Sequence, residues 1–143
     1  MSNFHTLDGY DRMRKQELTR TMEDYLEMIC RLSREDAVVR VQVVAEKLNV
    51  KPSSVTKMMQ QLCAGGFIEY RPYAYLKLTQ KGQEEGAYLL YRHDVLHEFL
   101  CMLNGTTDEL EQVELIEHFL NRQTVENIEK LVQRLKVQAV QSE

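Results

Sequence analysis

Asn49-Val50-Lys51-Pro52-Ser53-Ser54-Val55-Thr56-Lys57-Met58-Met59-Gln60-Gln61-Leu62 is the stretch on which the fold turns. Val55, Met58/Met59 and Leu62 recur at helical spacing as one apolar stripe, which leaves Ser53, Ser54, Thr56, Lys57, Gln60 and Gln61 facing outward. Gly65-Gly66 ends that helix, and Asn49 to Pro52 is a tight connection. Just upstream, Val41 to Leu48 reads as a shorter helix with Val44, Ala45 and Leu48 inward. Two short helices joined by a brief turn, the second with a small and singly basic outer face, predict a helix-turn-helix. Such a face suits a DNA major groove, because Ser, Thr, Lys and Gln reach base edges and phosphates without bulk. Lys51, in the connection, joins this candidate DNA-binding set.

Working outward, Phe67 to Arg71 and Tyr75 to Leu78 read as two strands with Pro72-Tyr73-Ala74 turning between them. A hairpin directly after the recognition helix is the order of a winged helix, and it puts Arg71, Tyr73 and Lys77 where a wing meets the DNA backbone. Ala37 to Arg40 forms a short extended piece ahead of the first helix of the pair. Charge follows the same division. Between Arg40 and Gly82 stand seven bases (Arg40, Lys47, Lys51, Lys57, Arg71, Lys77, Lys81) against two acids (Glu46, Glu69), although the whole chain carries a net −4. A basic middle between acidic flanks implies that one part meets a polyanion while another gathers cations.

The flanks are helical. Residues 1–18 read as a weakly ordered arm, and Thr21 with Asp24 resembles a capping box for a helix over about 19–34. On that helix Asp24 and Glu27 are i, i+3 neighbours beside the apolar stripe. Thr79 caps a long helix over about 80–103 that carries His93 and His97. Thr106 with Glu109 forms a capping box for the next helix, where Glu114, Glu117 and His118 fall at i, i+3 and i+4 on one face. Two carboxylates and an imidazole so converged are half a metal site. A last helix starts at Thr124 and frays from Gln138; its Ile128, Leu131/Val132 and Leu135 form a stripe that one small subunit leaves uncovered, which predicts a homodimer.

The expected class is therefore mainly α: an arm (1–18), a winged-helix DNA-binding domain with a two-stranded wing (19–80), and a helical metal-binding and dimerisation domain (81–143). At 143 residues and 43% hydrophobic content the chain can bury a core. It has neither a run of about 18 apolar residues nor a secretory signal, so a cytoplasmic protein without membrane contact is expected. Cys30, Cys63 and Cys101 stand singly among apolar neighbours and read as small buried hydrophobes, with no C-x-x-C pair for zinc or redox work.

Met22-Glu23-Asp24-Tyr25-Leu26-Glu27, Pro52-Ser53-Ser54-Val55-Thr56-Lys57-Met58, Leu78-Thr79-Gln80-Lys81-Gly82, Tyr91-Arg92-His93 and Ile116-Glu117-His118 together resemble the manganese-responsive branch of the diphtheria-toxin-repressor family, over about residues 19–136. The resemblance implies a homodimeric winged-helix repressor acting on operator DNA of manganese transport genes. It also implies a metal site of Asp24, Glu27, His93, Glu114, Glu117 and His118, holding two Mn²⁺ per subunit with Glu114 and Glu117 as bridges. In iron-responsive relatives the positions matching Asp24 and Glu114 are softer sulfur ligands; here both are hard oxygen donors, which favours Mn²⁺. The chain departs from the family pattern at Gln42, where a capping Ser is common, and at Phe119, where a second His is common. Its arm is longer, and it leaves no room for a third, SH3-like domain.

Two rival readings compete. His93-Asp94-Val95-Leu96-His97 resembles the H-E-x-x-H helix of zinc proteases, but its acid is Asp and no third-ligand motif follows, so a small metallohydrolase is disfavoured and no catalytic residue is expected. His97 reads instead as a helix-surface or satisfied interhelical histidine. The other rival is a winged-helix regulator that answers to an organic ligand or to Fe²⁺; the metal reading expects no small organic cofactor.

Overall fold

Pro52–Ala64 folds as the helix its apolar stripe predicts, with Pro52 inside the first turn, where its missing N–H costs nothing. In this computed structural model, residues 5–7, 9–10, 18–36, 39–70 and 75–142 are described. Among the described residues from 18 onward, six helices run in the order α1 (Arg20–Glu35), α2 (Val41–Leu48), α3 (Pro52–Ala64), α4 (Gln80–Asn104), α5 (Leu110–Ile116) and α6 (Arg122–Gln141). Strands β1 (Ile68–Glu69) and β2 (Lys77–Leu78) lie between α3 and α4, and a 3-10 turn (Glu117–Phe119) follows α5.

The helix-turn-helix is built as expected. Asn49 takes the left-handed conformation (φ 54°) that closes α2, and Val44, Ala45, Val55, Met59 and Leu62 face the core. β1 and β2 are antiparallel in the register Ile68↔Leu78 and Glu69↔Lys77, shorter than the strands read from the sequence. Val39 adds an isolated bridge to Leu76, whose N–H donates to the Val39 carbonyl at 2.7 Å. Arg71 and Tyr73, and the turn expected at Pro72-Tyr73-Ala74, lie outside the described residues, as does most of the arm.

Thr79 joins the wing to α4. Its hydroxyl donates to the Gly66 carbonyl (2.6 Å) and accepts from the Gly82 N–H (3.0 Å), capping the long helix as expected. Gly82 is required there, since a Cβ would stand 1.9 Å from the Phe67 carbonyl oxygen. Gly86 allows α1 to approach α4: a Cβ would meet Cys30 Sγ at 2.9 Å, so Cys30 fills the space that Gly86 leaves.

One core gathers the inner faces of α1, α2, α3, the hairpin and the first half of α4. A second, smaller one lies further along α4, where Leu96, Leu100 and Val113 pack with Phe99, Ile116, Leu120 and Ile128. Because α4 runs through both, α1 and the 117–118 turn are held against one helix.

Several expected details are corrected. The α1 cap is Thr19, whose hydroxyl accepts from Met22 N–H, rather than Thr21. α6 starts at Arg122 under an Asn121 cap and continues through Gln141 without fraying at Gln138. α5 begins only at Leu110, and Thr106 donates to the Glu109 carboxylate instead of capping a helix. Cys63 is exposed and Cys101 half-buried, so only Cys30 is the buried hydrophobe expected of all three.

Candidate metal centre and DNA-binding face

Three segments far apart in sequence meet beside α4. α1 supplies Glu23, Asp24, Glu27 and Arg31; α4 supplies Arg92 and His93; the end of α5 and the turn after it supply Glu114, Glu117 and His118. The turn differs from the continuous helix read from the sequence. α-Helical winding stops at Ile116, and the tighter turn seats Glu117 fully buried, at 0% exposure, while the Glu114 side chain stays 56% exposed.

His93 Nδ1 lies 3.4 Å from Glu117 Oε2, 3.5 Å from Glu27 Oε1 and 3.7 Å from Glu114 Oε1. His118 Nε2 lies 2.9 Å from Asp24 Oδ1 and 3.7 Å from Glu117 Oε1. All six residues named from the family resemblance thus fall in two abutting groups, Glu27/His93/Glu114/Glu117 and Asp24/Glu117/His118, whose donor atoms lie within 4.8 Å of one another. That span is about what two metal–oxygen bonds of roughly 2.1 Å placed end to end allow. Glu117 alone belongs to both groups; Glu114, also expected to bridge, joins only the first.

The electrostatics are those of a site short of positive charge. Both carboxylate oxygens of Glu117 and the Nδ1 of His93 are buried without a hydrogen bond, a costly arrangement for a protein to keep. Burial, then the charge of Glu117, pushes the Glu27 carboxyl up to about 7, against the pull of Arg31 and His93. Glu114 is raised by burial and by Glu117 and Asp24. Contact with Glu117 raises His93 in spite of its burial. Burial works against a charged His118, but hydrogen bonds to Asp24 and Glu23 outweigh it and carry the ring up to about 9. Protons therefore sit where a cation is wanted. Four carboxylates, the buried and unpartnered Glu117 among them, and two imidazoles fit one or two divalent ions of hard to intermediate character.

Sequence reasoning gave no role to Glu23, Arg92 or Arg31. Glu23 Oε1 lies 2.8 Å from His118 Nδ1, and its other oxygen accepts from Arg92 at 3.3 Å; Arg92 is buried. Glu23 and Arg92 stand in the motifs that carry the family resemblance, which was the available signal. Arg31 pairs with Glu27 at 3.0 Å, an i, i+4 contact readable from spacing alone.

His97 stands apart. Its Nε2 accepts the Glu109 N–H at 3.1 Å and lies 4.0 Å from Asp108, so it is the satisfied interhelical histidine expected. The His93 and His97 rings stack with centroids 6.5 Å apart, and neither donor group found among the described residues includes His97.

On the other half, Lys51, Ser53, Ser54, Lys57, Gln60, Gln61 and Lys77 are exposed, while Thr56 is half-buried and its hydroxyl donates to the Pro52 carbonyl. Residues 17–76 match the family described as iron dependent repressor, N-terminal DNA binding domain, and residues 79–141 match its metal binding and dimerisation domain. The chain belongs to the iron-dependent repressor family. As a member it is a metal-dependent, DNA-binding transcriptional repressor and not an enzyme. Relatives named HTH-type transcriptional regulator MntR include two from different genera. That of Oceanobacillus iheyensis is 42% identical over 82% of this chain and 81% of its own length; that of Bacillus subtilis strain 168 is 42% identical over 80% and 82%. Among solved structures, the manganese regulator SloR superposes with a TM-score of 0.70 at 32% identity, over 81% of this chain and 55% of that one. ScaR with bound Zn²⁺ gives 0.65 at 28%, over 78% and 53%, so this chain spans about half the length of these solved proteins. No helix among the described residues is long and apolar enough to cross a membrane.

Proposed function

We propose that this family member represses manganese transport genes in response to Mn²⁺, as a homodimer that binds operator DNA. Asp24, Glu27, His93, Glu114, Glu117 and His118 would hold two ions per subunit, with Glu117 between them. The observation that carries this reading is the buried Glu117 carboxylate, which belongs to both donor groups and lacks a hydrogen bond. An oxygen-rich donor set without cysteine suits Mn²⁺ better than softer ions. The names of the relatives and of the solved manganese regulator point the same way.

A bound ion supplies positive charge that lets the clustered carboxylates stay ionised side by side. Without it, Asp24 and Glu27 on α1 face Glu114 on α5 and Glu117 in the turn after it, with protons and Arg31 offsetting their charge. α1 packs against α2 and α3, so its seat on α4 sets the direction of the recognition helix. Exposed Leu115, Leu131, Leu135, Val137 and Val140 on the helical half support pairing with a second copy. In such a dimer the two α3 helices need a spacing of about 34 Å to enter successive major grooves. Lys51, Ser53, Ser54, Thr56, Lys57, Gln60 and Gln61 would read the groove, and Arg71, Tyr73 and Lys77 would contact the backbone, the domains dividing near residue 80.

The test is equilibrium binding to a duplex selected from a random pool, titrated with Mn²⁺ at fixed ionic strength. Affinity should rise steeply with Mn²⁺ in the wild type and remain flat in Glu117→Gln. Affinity independent of Mn²⁺ would overturn the proposal.

A further inference from the structure

We propose that Arg31 is a tethered counter-ion that occupies Glu27 in the metal-free protein, competes with the divalent cation for that carboxylate, and so sets the concentration at which the site fills. The inference rests on the metal reading above. Arg31 Nη2 lies 3.0 Å from Glu27 Oε1, and this same oxygen stands 3.5 Å from His93 Nδ1. The atom that faces the site is thus the atom the guanidinium holds. One turn of α1 separates the two residues, acid before base, the order in which helical ion pairs form most readily.

Exposure separates the partners. The Glu27 side chain is 7% exposed and fixed against α4, whereas that of Arg31 is 40% exposed and lines the mouth of a cavity of about 370 Å³ shared with Asp24, His93 and Glu114. Arg31 can swing into water while Glu27 stays. Arg92 offers the contrast: at 3% exposure, bound to Glu23, it has nowhere to go, and it meets His118 only at Nδ1, the nitrogen turned away from Asp24. One carboxylate oxygen cannot serve a guanidinium and a divalent cation in the same direction, because two cations repel at contact distance. Filling the Glu27 group through Oε1 in that direction therefore turns Arg31 out.

The experiment titrates the purified full chain with Mn²⁺ and reads free ion by electron paramagnetic resonance, for wild type, Arg31→Met, Glu27→Gln and the double variant. Arg31→Met should bind about three- to tenfold tighter, and Arg31→Lys should fall between it and wild type. Arg31→Gln repeats the test without an apolar side chain at the cavity mouth. In the Glu27→Gln background the Arg31→Met gain should vanish, which is the signature of coupling through that carboxylate. Unchanged or weaker binding in both Arg31→Met and Arg31→Gln overturns the role of Arg31, and so does an equal gain with Glu27→Gln, which would be a diffuse charge effect. If the wild type binds no Mn²⁺, the metal reading itself fails; if it binds and the variants do not tighten, only the role of Arg31 fails.

Discussion

Glu23 Oε1 and His118 Nδ1 lie 2.8 Å apart, tying the start of α1 to the turn after α5. The bond fixes the ring so that Nε2 faces Asp24 and Glu117. A partner on the far nitrogen is how proteins orient a ligating imidazole, and losing one costs roughly tenfold or more in metal affinity. Glu23→Gln, which keeps a side chain beside buried Arg92, should weaken Mn²⁺ binding by about tenfold while the chain still folds. Titration of free Mn²⁺ checks the first part and a thermal melt the second.

Glu117 should trade stability for function. Its carboxylate is wholly buried and makes no hydrogen bond. Glu117→Leu removes that burden and fills similar volume, so the metal-free protein should gain roughly 1 to 3 kcal/mol against urea. The same variant should lose its response to Mn²⁺. A loss of stability without metal would count against the charge deficit described here.

Acidity gives a third expectation. Folding raises Glu27 from 4.5 to about 7 and His118 from 6.5 to about 9. In each case the folded protein binds a proton more tightly than the unfolded chain. Stability from Glu27 is thus fully present below about 4.5 and lost as pH rises through about 7, and that from His118 is present below about 6.5 and lost through about 9. The melting temperature of chelator-treated protein should fall from pH 5 to 9. Mn²⁺ affinity should climb over the same range, since both groups must shed protons to ligate. A rising melting temperature would contradict these assignments.

The junction of wing and α4 is close-packed at Gly82. Gly82→Ala would drive a methyl group into the Phe67 carbonyl, 1.9 Å away, and should cost about 3 kcal/mol by urea denaturation. A near-neutral substitution would mean that the hairpin moves freely against α4.

Helical phase made much of this legible. The stripe Val55, Met59, Leu62 placed the polar face of α3, and Thr79 marked the start of α4, because both signals are local. Caps were less readable: Thr19 and Thr21 suit an N-terminus equally by type, and only the fold selects Thr19. The switch to a 3-10 turn at Glu117 was hidden, since packing decides it, with Arg20 lying over the Phe119 ring at 5.0 Å. Helical spacing singled out Glu114, Glu117 and His118 as half a metal site, and family resemblance completed the set with Asp24, Glu27 and His93. Periodicity placed each on a helix face, but no periodicity carries the distance from Asp24 to His118. The Glu23–His118–Arg92 contacts stayed unseen for the same reason.

Anomalous diffraction at the manganese edge, from crystals grown with Mn²⁺, tests the central claim most directly. The account predicts density enclosed by Asp24, Glu27, His93, Glu114, Glu117 and His118, with Glu117 touching both ions and Arg31 turned away from Glu27. Density elsewhere, or none with those six side chains left as they stand, would contradict it.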